Sequence, residues 1–403
     1  MFLHKKKSST RSQLCEVCPP LLSLSLSLSL SLADINNAAD QSSHWRAGHR
    51  SGRAGSFDLT LPERNSSVDI AKVILIYLVI FGHVVTLSGN IGIFIYAFHM
   101  PAFFIITGLL ISNKEDAIGL IHKLSKKLIK PYFYFVVLGL LFVSIRVCFV
   151  PKEIFDTTFF WQLFYDMTPD KIFMGPGWFL WALFWGRIIF FFIEKYCHRS
   201  VKIIMYTILY IFSFNLFSVW NFIIGADFPP LRIDSGMLAA IFIKIGNMLN
   251  LIWKKEKTVV LAMTILLAMI FVSSSLSNGL SAVRPRMFNT SILFMLSAIS
   301  GTLLILIISS FLSKITICNN IITYIAKNTL SMFMFNGIFV ACLYYRGIAC
   351  MENVDFLPAV YYTSLGFVIL IACIPVYKSF ELFFDNKLLL LSEYVCRRVK
   401  SLW

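Results

Sequence analysis

Asp69, Lys72, His83 and His99 are the residues whose types and spacing point to chemistry. A neutral imidazole takes up a proton near pH 7, so a histidine beside a hydroxyl can turn that hydroxyl into a nucleophile. On a helix, Lys72 and His83 are separated by a net rotation of about 20°, and Asp69 and His83 by about 40° in the other sense. The three share one stripe, which passes through Ile76 and Val79. Rise along the axis separates their roles. Asp69 stands about 21 Å from His83, too far to orient it. It belongs to the first helical turn, where the dipole favours a carboxylate and where Lys72 or Arg64 can pair with it. A capped helix start with a snorkelling lysine is the plain alternative.

A second histidine meets the first. With a turn near Gly89–Asn90, antiparallel geometry sets His83 and His99 at similar depth, roughly 10–14 Å below one membrane surface. Of the seven histidines in the chain, only these two fall in apolar segments. Matched depth in one hairpin points to catalysis or substrate binding. No third ligand stands at a readable spacing, so no metal is expected. Cys15 and Cys18 form a CxxC, but no second such pair follows it. Cys342 and Cys350 are the one pair near enough in sequence to bridge outside a membrane.

The elements that must carry these residues are set by composition. The chain has 403 residues, 58% hydrophobic and 14% charged, with a mean hydropathy of +0.76. An ordinary soluble domain is about 45–50% apolar and about 25% charged. Soluble, disordered and collagen-like classes are excluded, leaving an all-α polytopic membrane bundle. Apolar segments long enough to cross a hydrocarbon core begin near residue 68. Ten are expected: 68–87, 91–111, 131–150, 177–193, 202–219, 234–253, 258–276, 290–312, 321–343 and 358–377. Residues 1–63, with their Leu/Ser alternation and Gly/Ser/His/Arg-rich stretch, read as a low-complexity leader. Residues 64–378 form the membrane domain and 379–403 a basic tail.

Orientation follows from the loops. Alternate loops together with the tail carry 17 Lys and Arg against 6 in the other set. Both termini are therefore expected in the cytoplasm, with the chain a multi-pass protein of the cell membrane. The same asymmetry accounts for the net charge of +15, and no nucleic-acid partner is expected. The longest outer loop, 151–176, combines carboxylates with Phe159, Phe160, Trp161 and Tyr165. It reads equally as a sugar-gripping surface and as an interfacial aromatic belt. Arg187, Lys244 and Lys327 lie inside or near spans, either snorkelling or lining a cavity.

The stretch from Arg64 through Asp69 and Lys72 to Phe81-Gly82-His83, followed by Ala97-Phe98-His99-Met100-Pro101-Ala102-Phe103-Phe104 and Thr107-Gly108, resembles the integral-membrane acyltransferase-3 family. It is most similar to the fucose 4-O-acetylase-like branch that decorates cell-surface polysaccharides. Gly177-Trp178-Phe179-Leu180 and Asn328-Thr329-Leu330-Ser331 resemble later motifs of that family, over about residues 64–377. One departure stands out: that branch commonly has a histidine in the late helix, where this chain has Asn336.

The resemblance implies acyl-CoA, acetyl-CoA first, as a cytoplasmic donor substrate rather than a bound cofactor. It also implies a glycan or lipid-linked sugar as acceptor. Arg64, Asp69 and Lys72 then belong to the donor side, and His83 and His99 to the chemistry. His83 is ranked first as base, and His99 is placed on the orienting or oxyanion side. Trp178 and Asn336 are expected to contact substrate, supplying donors to the developing oxyanion. A transporter or flippase shares ten helices and intramembrane charge. The paired histidines have no second-half copy, which favours the enzyme.

Overall fold

The computed structural model describes residues 66–84, 90–111, 115–147, 157–224, 229–253, 260–285, 287–315, 319–345 and 356–400. The leader 1–63, Arg64 and Cys350 lie outside these residues. The described residues belong to one compact unit, 64–403. They are helical, with one isolated antiparallel bridge between Ala282 and Met287.

Thirteen α-helices follow one another among the described residues. They are α1 (Ser66–Val84), α2 (Asn90–Leu109), α3 (Ala117–Leu124), α4 (Lys130–Val147), α5 (Thr157–Trp161), α6 (Trp178–Tyr196) and α7 (Arg199–Ile224). The remainder are α8 (Ile233–Trp253), α9 (Val260–Asn278), α10 (Ser291–Ile315), α11 (Asn319–Lys327), α12 (Thr329–Tyr345) and α13 (Phe356–Lys400). One π-helical turn, Ser125–Ile129, joins α3 to α4. All ten expected positions carry helix over their described residues. Among the described residues, six segments are long and apolar enough to span by composition, seven if the bent pair α11–α12 counts as one. The other three expected spans are α7, α8 and α9. Asp234, Lys244, Asn247 and Asn250 make α8 polar.

α1 stands at the centre, packed against α2, α10, α11, α12 and α13. Its stripe residues Ile76 and Val79 are buried, as an inward-facing stripe requires. α2 runs as one helix through Pro101 and packs on α8 and α10. Small residues set that approach. A Cβ at Gly108 would run into the Ile243 carbonyl oxygen, and one at Gly246 into that of Ile105. In lipid, helices associate through such close backbone packing rather than through water exclusion. α8 repeats the device against α6, with Gly236 under Trp185 and Ala239 under Gly186.

The chain breaks between α11 and α12, which meet at 68°. Asn328 makes the corner: its Nδ2 donates to the Tyr324 carbonyl at 2.7 Å, and Ser331 Oγ donates to the Asn328 carbonyl at 2.8 Å. The last expected span and the described part of the basic tail, to Lys400, are one helix, α13. Past its apolar part, Asp385 accepts from Lys130 Nζ at 2.7 Å and from the Tyr134 hydroxyl at 2.5 Å, tying α13 to α4.

Candidate active site

The α1–α2 hairpin brings the two histidines together around one tyrosine. The Tyr96 ring meets His83 edge-on at 6.4 Å between centroids and His99 at 5.0 Å. Its hydroxyl donates to the Gly82 carbonyl at 2.9 Å, fixing the ring between the helices. His83 and His99 thus flank the same ring, as matched depth in one hairpin leads one to expect. His83 is partly buried, while His99 is 4% exposed.

His99 is held by its own helix. Nδ1 lies 2.7 Å from the Ile95 carbonyl oxygen, which can only accept, so Nδ1 carries the proton. In the neutral ring Nε2 is then an acceptor. An oxyanion donor at His99, the role its motif suggests, requires that nitrogen to be protonated first.

A cavity of about 560 Å³ opens at the opposite end of the bundle from the 157–177 loop. Four cations line it: Lys72 on α1, Lys127 in the π turn, Arg187 on α6 and Lys327 at the α11–α12 corner. Phe103, Phe179 and Phe333 line it too. Phe179 gathers these rings, with centroids 5.9 Å from Phe103 and 5.1 Å from Phe333. Just past the rings along their helices come the expected site residues. His99 precedes Phe103 by one turn, Trp178 adjoins Phe179, and Asn336 follows Phe333 by one turn. The layering runs from cations through phenyl rings to polar groups.

Asn336 is buried, and neither its Oδ1 nor its Nδ2 has a hydrogen-bond partner among the described residues. A buried amide without partners costs free energy and marks a place where a ligand can complete the bonding. Its neighbour Gly337 leaves no room for a Cβ against the Phe173 carbonyl, which keeps α12 tight on the loop. Trp178 is also buried, its ring beneath the Arg232 guanidinium at 5.8 Å.

Other expected residues fall elsewhere. Asp69 is buried in the first turn of α1 and does not line the cavity. Lys244 does not line the cavity; its Nζ meets Glu194 Oε1 at 2.7 Å, and Glu194 also holds Lys202 and Tyr206. Among the described residues no three His, Cys, Asp or Glu side chains gather in a metal-binding cluster.

A cluster that spacing did not reveal closes the loop end. Arg232, fully buried, donates to Asp166 Oδ1 at 2.9 Å and to the Arg284 carbonyl at 2.7 Å. Arg284 in turn binds both oxygens of Asp170 at 2.8 Å. The loop carboxylates Asp166 and Asp170 are therefore engaged with arginines. The available signal was two arginines on the side where the topology rule predicts few.

A family model described as an acyltransferase domain, of the acyltransferase-3 type, matches residues 65–378. No curated protein and no solved structure matches the chain.

Proposed function

The chain belongs to the acyltransferase-3 family, and from that membership we propose that it moves a short acyl group, acetyl first, from cytoplasmic acyl-CoA to a hydroxyl of a cell-surface or exopolysaccharide sugar. One observation carries this reading: the cavity lined by four cations and three phenyl rings. Acyl-CoA has the complementary make-up, with phosphates at one end, an uncharged arm, and a thioester at the tip. The phosphates sit on Lys72, Lys127, Arg187 and Lys327, as anions sit on clustered basic side chains. The arm passes the phenyl rings. Lys72 and His83 are about 16 Å apart along α1, the distance that the arm bridges.

At the far end the acceptor hydroxyl attacks the thioester carbon while His83 takes its proton. His83 is placed first because it is the less buried histidine and shares the Lys72 face. His99, with Nε2 as an acceptor, orients the hydroxyl or the partner ring. Charge that develops on the carbonyl oxygen meets the Asn336 amide N–H. Collapse forms the ester and expels the CoA thiolate, which recovers the proton from His83. The motifs around His83 and His99 support a fucose 4-O-acetylase-like acceptor preference. The 17-to-6 charge asymmetry supports a cell-membrane protein with both termini in the cytoplasm.

The test compares acyl content of surface glycans, by mass, among a deletion strain, its complement, and a complement carrying His83→Ala. Acylation is expected in the wild-type complement alone. Identical glycans in all three overturn the reading.

A further inference from the structure

Arg284 and Asp170 form a half-exposed pair at the loop end, with side chains 41% and 51% exposed. Nη2 of Arg284 is committed to the two Asp170 oxygens. The other guanidinium nitrogens make no bond to the described residues. Nη1 lies over Gly175, where an added Cβ would come within 3.3 Å of it. Glycine is what leaves that edge of the guanidinium its space. Arg232, which holds the Arg284 carbonyl, also lies over the Trp178 ring at 5.8 Å, so the pair borders the layer that carries Trp178.

The pair is also built in advance of any ligand. Gln162 Oε1 accepts from the Asp170 backbone N–H at 3.2 Å. Buried Arg232 holds the hairpin through the Arg284 carbonyl at 2.7 Å and is itself anchored on Asp166. Among the described residues, the non-glycine positions with positive φ are Met167, Phe173, Leu231 and Arg232, all in the segments that carry or brace the pair. Such backbone strain persists where surroundings over-determine it, and it clusters at ligand sites. Beside Gln162, Trp161 is 50% exposed and stacked on Tyr165 at 3.9 Å, with Trp220 Nε1 donating to the Tyr165 hydroxyl at 3.0 Å.

We propose that the Arg284–Asp170 pair is the recognition edge for the acceptor: it takes two neighbouring hydroxyls of a sugar ring and turns a third oxygen toward His83. The uncommitted edge of Arg284 donates to one sugar oxygen. Asp170 accepts from the adjacent hydroxyl with the lone pairs that Arg284 leaves over. Trp161 offers an apolar face for the ring. Paired cation and carboxylate suit a polyhydroxylated ring, whose vicinal hydroxyls each donate and accept. The inference rests on the glycan reading of the preceding subsection and specifies how the acceptor is held.

The test uses the full chain in nanodiscs, radiolabelled acetyl-CoA, and a panel of methyl hexopyranosides, each paired with its monodeoxy analogues. On the best-accepted glycoside, Arg284→Ala should raise the acceptor KM by about tenfold or more while the acetyl-CoA KM stays unchanged. Removing the hydroxyl that Arg284 contacts should cost the wild type about tenfold and cost the variant little, the signature of a lost pairwise contact. Asp170→Asn, nearly isosteric, should show the same pattern toward a different hydroxyl, and it stands in if Arg284→Ala fails to fold. Equal losses in wild type and variants across all deoxy analogues overturn this inference alone. Label transferred to no glycoside, with acetyl-CoA still bound, overturns the glycan reading and this inference with it.

Discussion

Nδ1 of His99 and the carbonyl oxygen of Ile95, 2.7 Å apart on the same helix, decide which nitrogen of that imidazole carries the proton. The carbonyl is the acceptor, so neutral His99 presents Nε2 as a lone pair. His83, across the Tyr96 ring, is the partly exposed member of the pair. If the two handle one proton together, their losses should not add. His83→Ala and His99→Ala should each lower acetyl transfer by about 10²–10⁴-fold, and the double variant should be no worse than the poorer single. Rates in reconstituted protein decide. Multiplying losses mean independent roles, and near-normal rates in both singles mean the histidines are structural.

The cationic cavity separates donor binding from chemistry. Lys127→Ala, Arg187→Ala and Lys327→Ala should each weaken acyl-CoA binding several-fold, and the residual affinity should depend less on salt. Lys72→Ala should do the same. Lys244→Ala is the contrast, because Lys244 is spent on Glu194 and does not line the cavity. It should leave donor affinity unchanged while lowering thermal stability. Isothermal titration of the five variants with acetyl-CoA at two ionic strengths reads this out. Equal effects from Lys244 and the cavity cations would return all of them to a general electrostatic role.

Local periodicity carried a good deal of this site, and its limits are physical. Rotation and rise place Lys72 and His83 on one face, and antiparallel geometry sets His83 level with His99; both relations involve neighbours on one hairpin. Arg232–Asp166 and Arg284–Asp170 span 66 and 114 positions, and no periodicity links residues that meet only after the bundle has closed. Counting charges by loop even used the two arginines, but as a minority to be outvoted. The cavity was half legible. Lys72 lines it as its stripe suggests, whereas Lys127 lies in a π turn whose twist the sequence does not announce. Spans at α7, α8 and α9 were read from apolar runs, yet polar groups such as Asp234 and Lys244 leave α8 below the composition of an ordinary spanning helix.

The Gly108–Gly246 crossing keeps α2, and with it His99, Phe103 and Thr107, against α8. A Cβ at either glycine meets a backbone carbonyl rather than a flexible side chain, so relief requires the helices to part. Gly108→Ala should destabilise the protein by about 1–3 kcal/mol, and Gly108→Val by more. Gly279, with φ at +66°, gives a different case: its alanine variant suffers backbone strain, with a 3.3 Å contact to the Asn289 side chain rather than to backbone. Thermal unfolding in detergent should rank Gly108→Val below Gly108→Ala below wild type. An unchanged midpoint for Gly108→Val would show that the crossing is looser than these contacts require.

The proposed orientation, with both termini in the cytoplasm, puts the two ends of the site on opposite sides of the membrane. Reporter fusions after residues 120, 165, 255 and 403 should read inside, outside, inside and inside. The cavity mouth then faces the cytoplasm and the Arg284–Asp170 pair faces out. An inside reading at 165 would place donor cavity and acceptor loop on the wrong sides and overturn the orientation.

Asn336 sets stability against function in a single side chain. Both of its polar atoms are buried without partners among the described residues, a state that costs the folded protein about 1–3 kcal/mol relative to an apolar side chain of similar shape. The tight packing on Phe173 is set by Gly337 and not by Asn336. The amide is explained if it meets charge that appears only during acyl transfer, when an N–H in a dry site stabilises the oxyanion without reorganising. Asn336→Leu should therefore raise the unfolding temperature while lowering turnover by about 10²-fold, with acetyl-CoA affinity unchanged. Asn336→His, which restores a ring donor, should recover part of that turnover. Unfolding midpoints and transfer rates measured on the same reconstituted samples settle it. A leucine variant that is less stable makes Asn336 a structural residue whose partner is water, and one that is stable and fully active removes it from the oxyanion site.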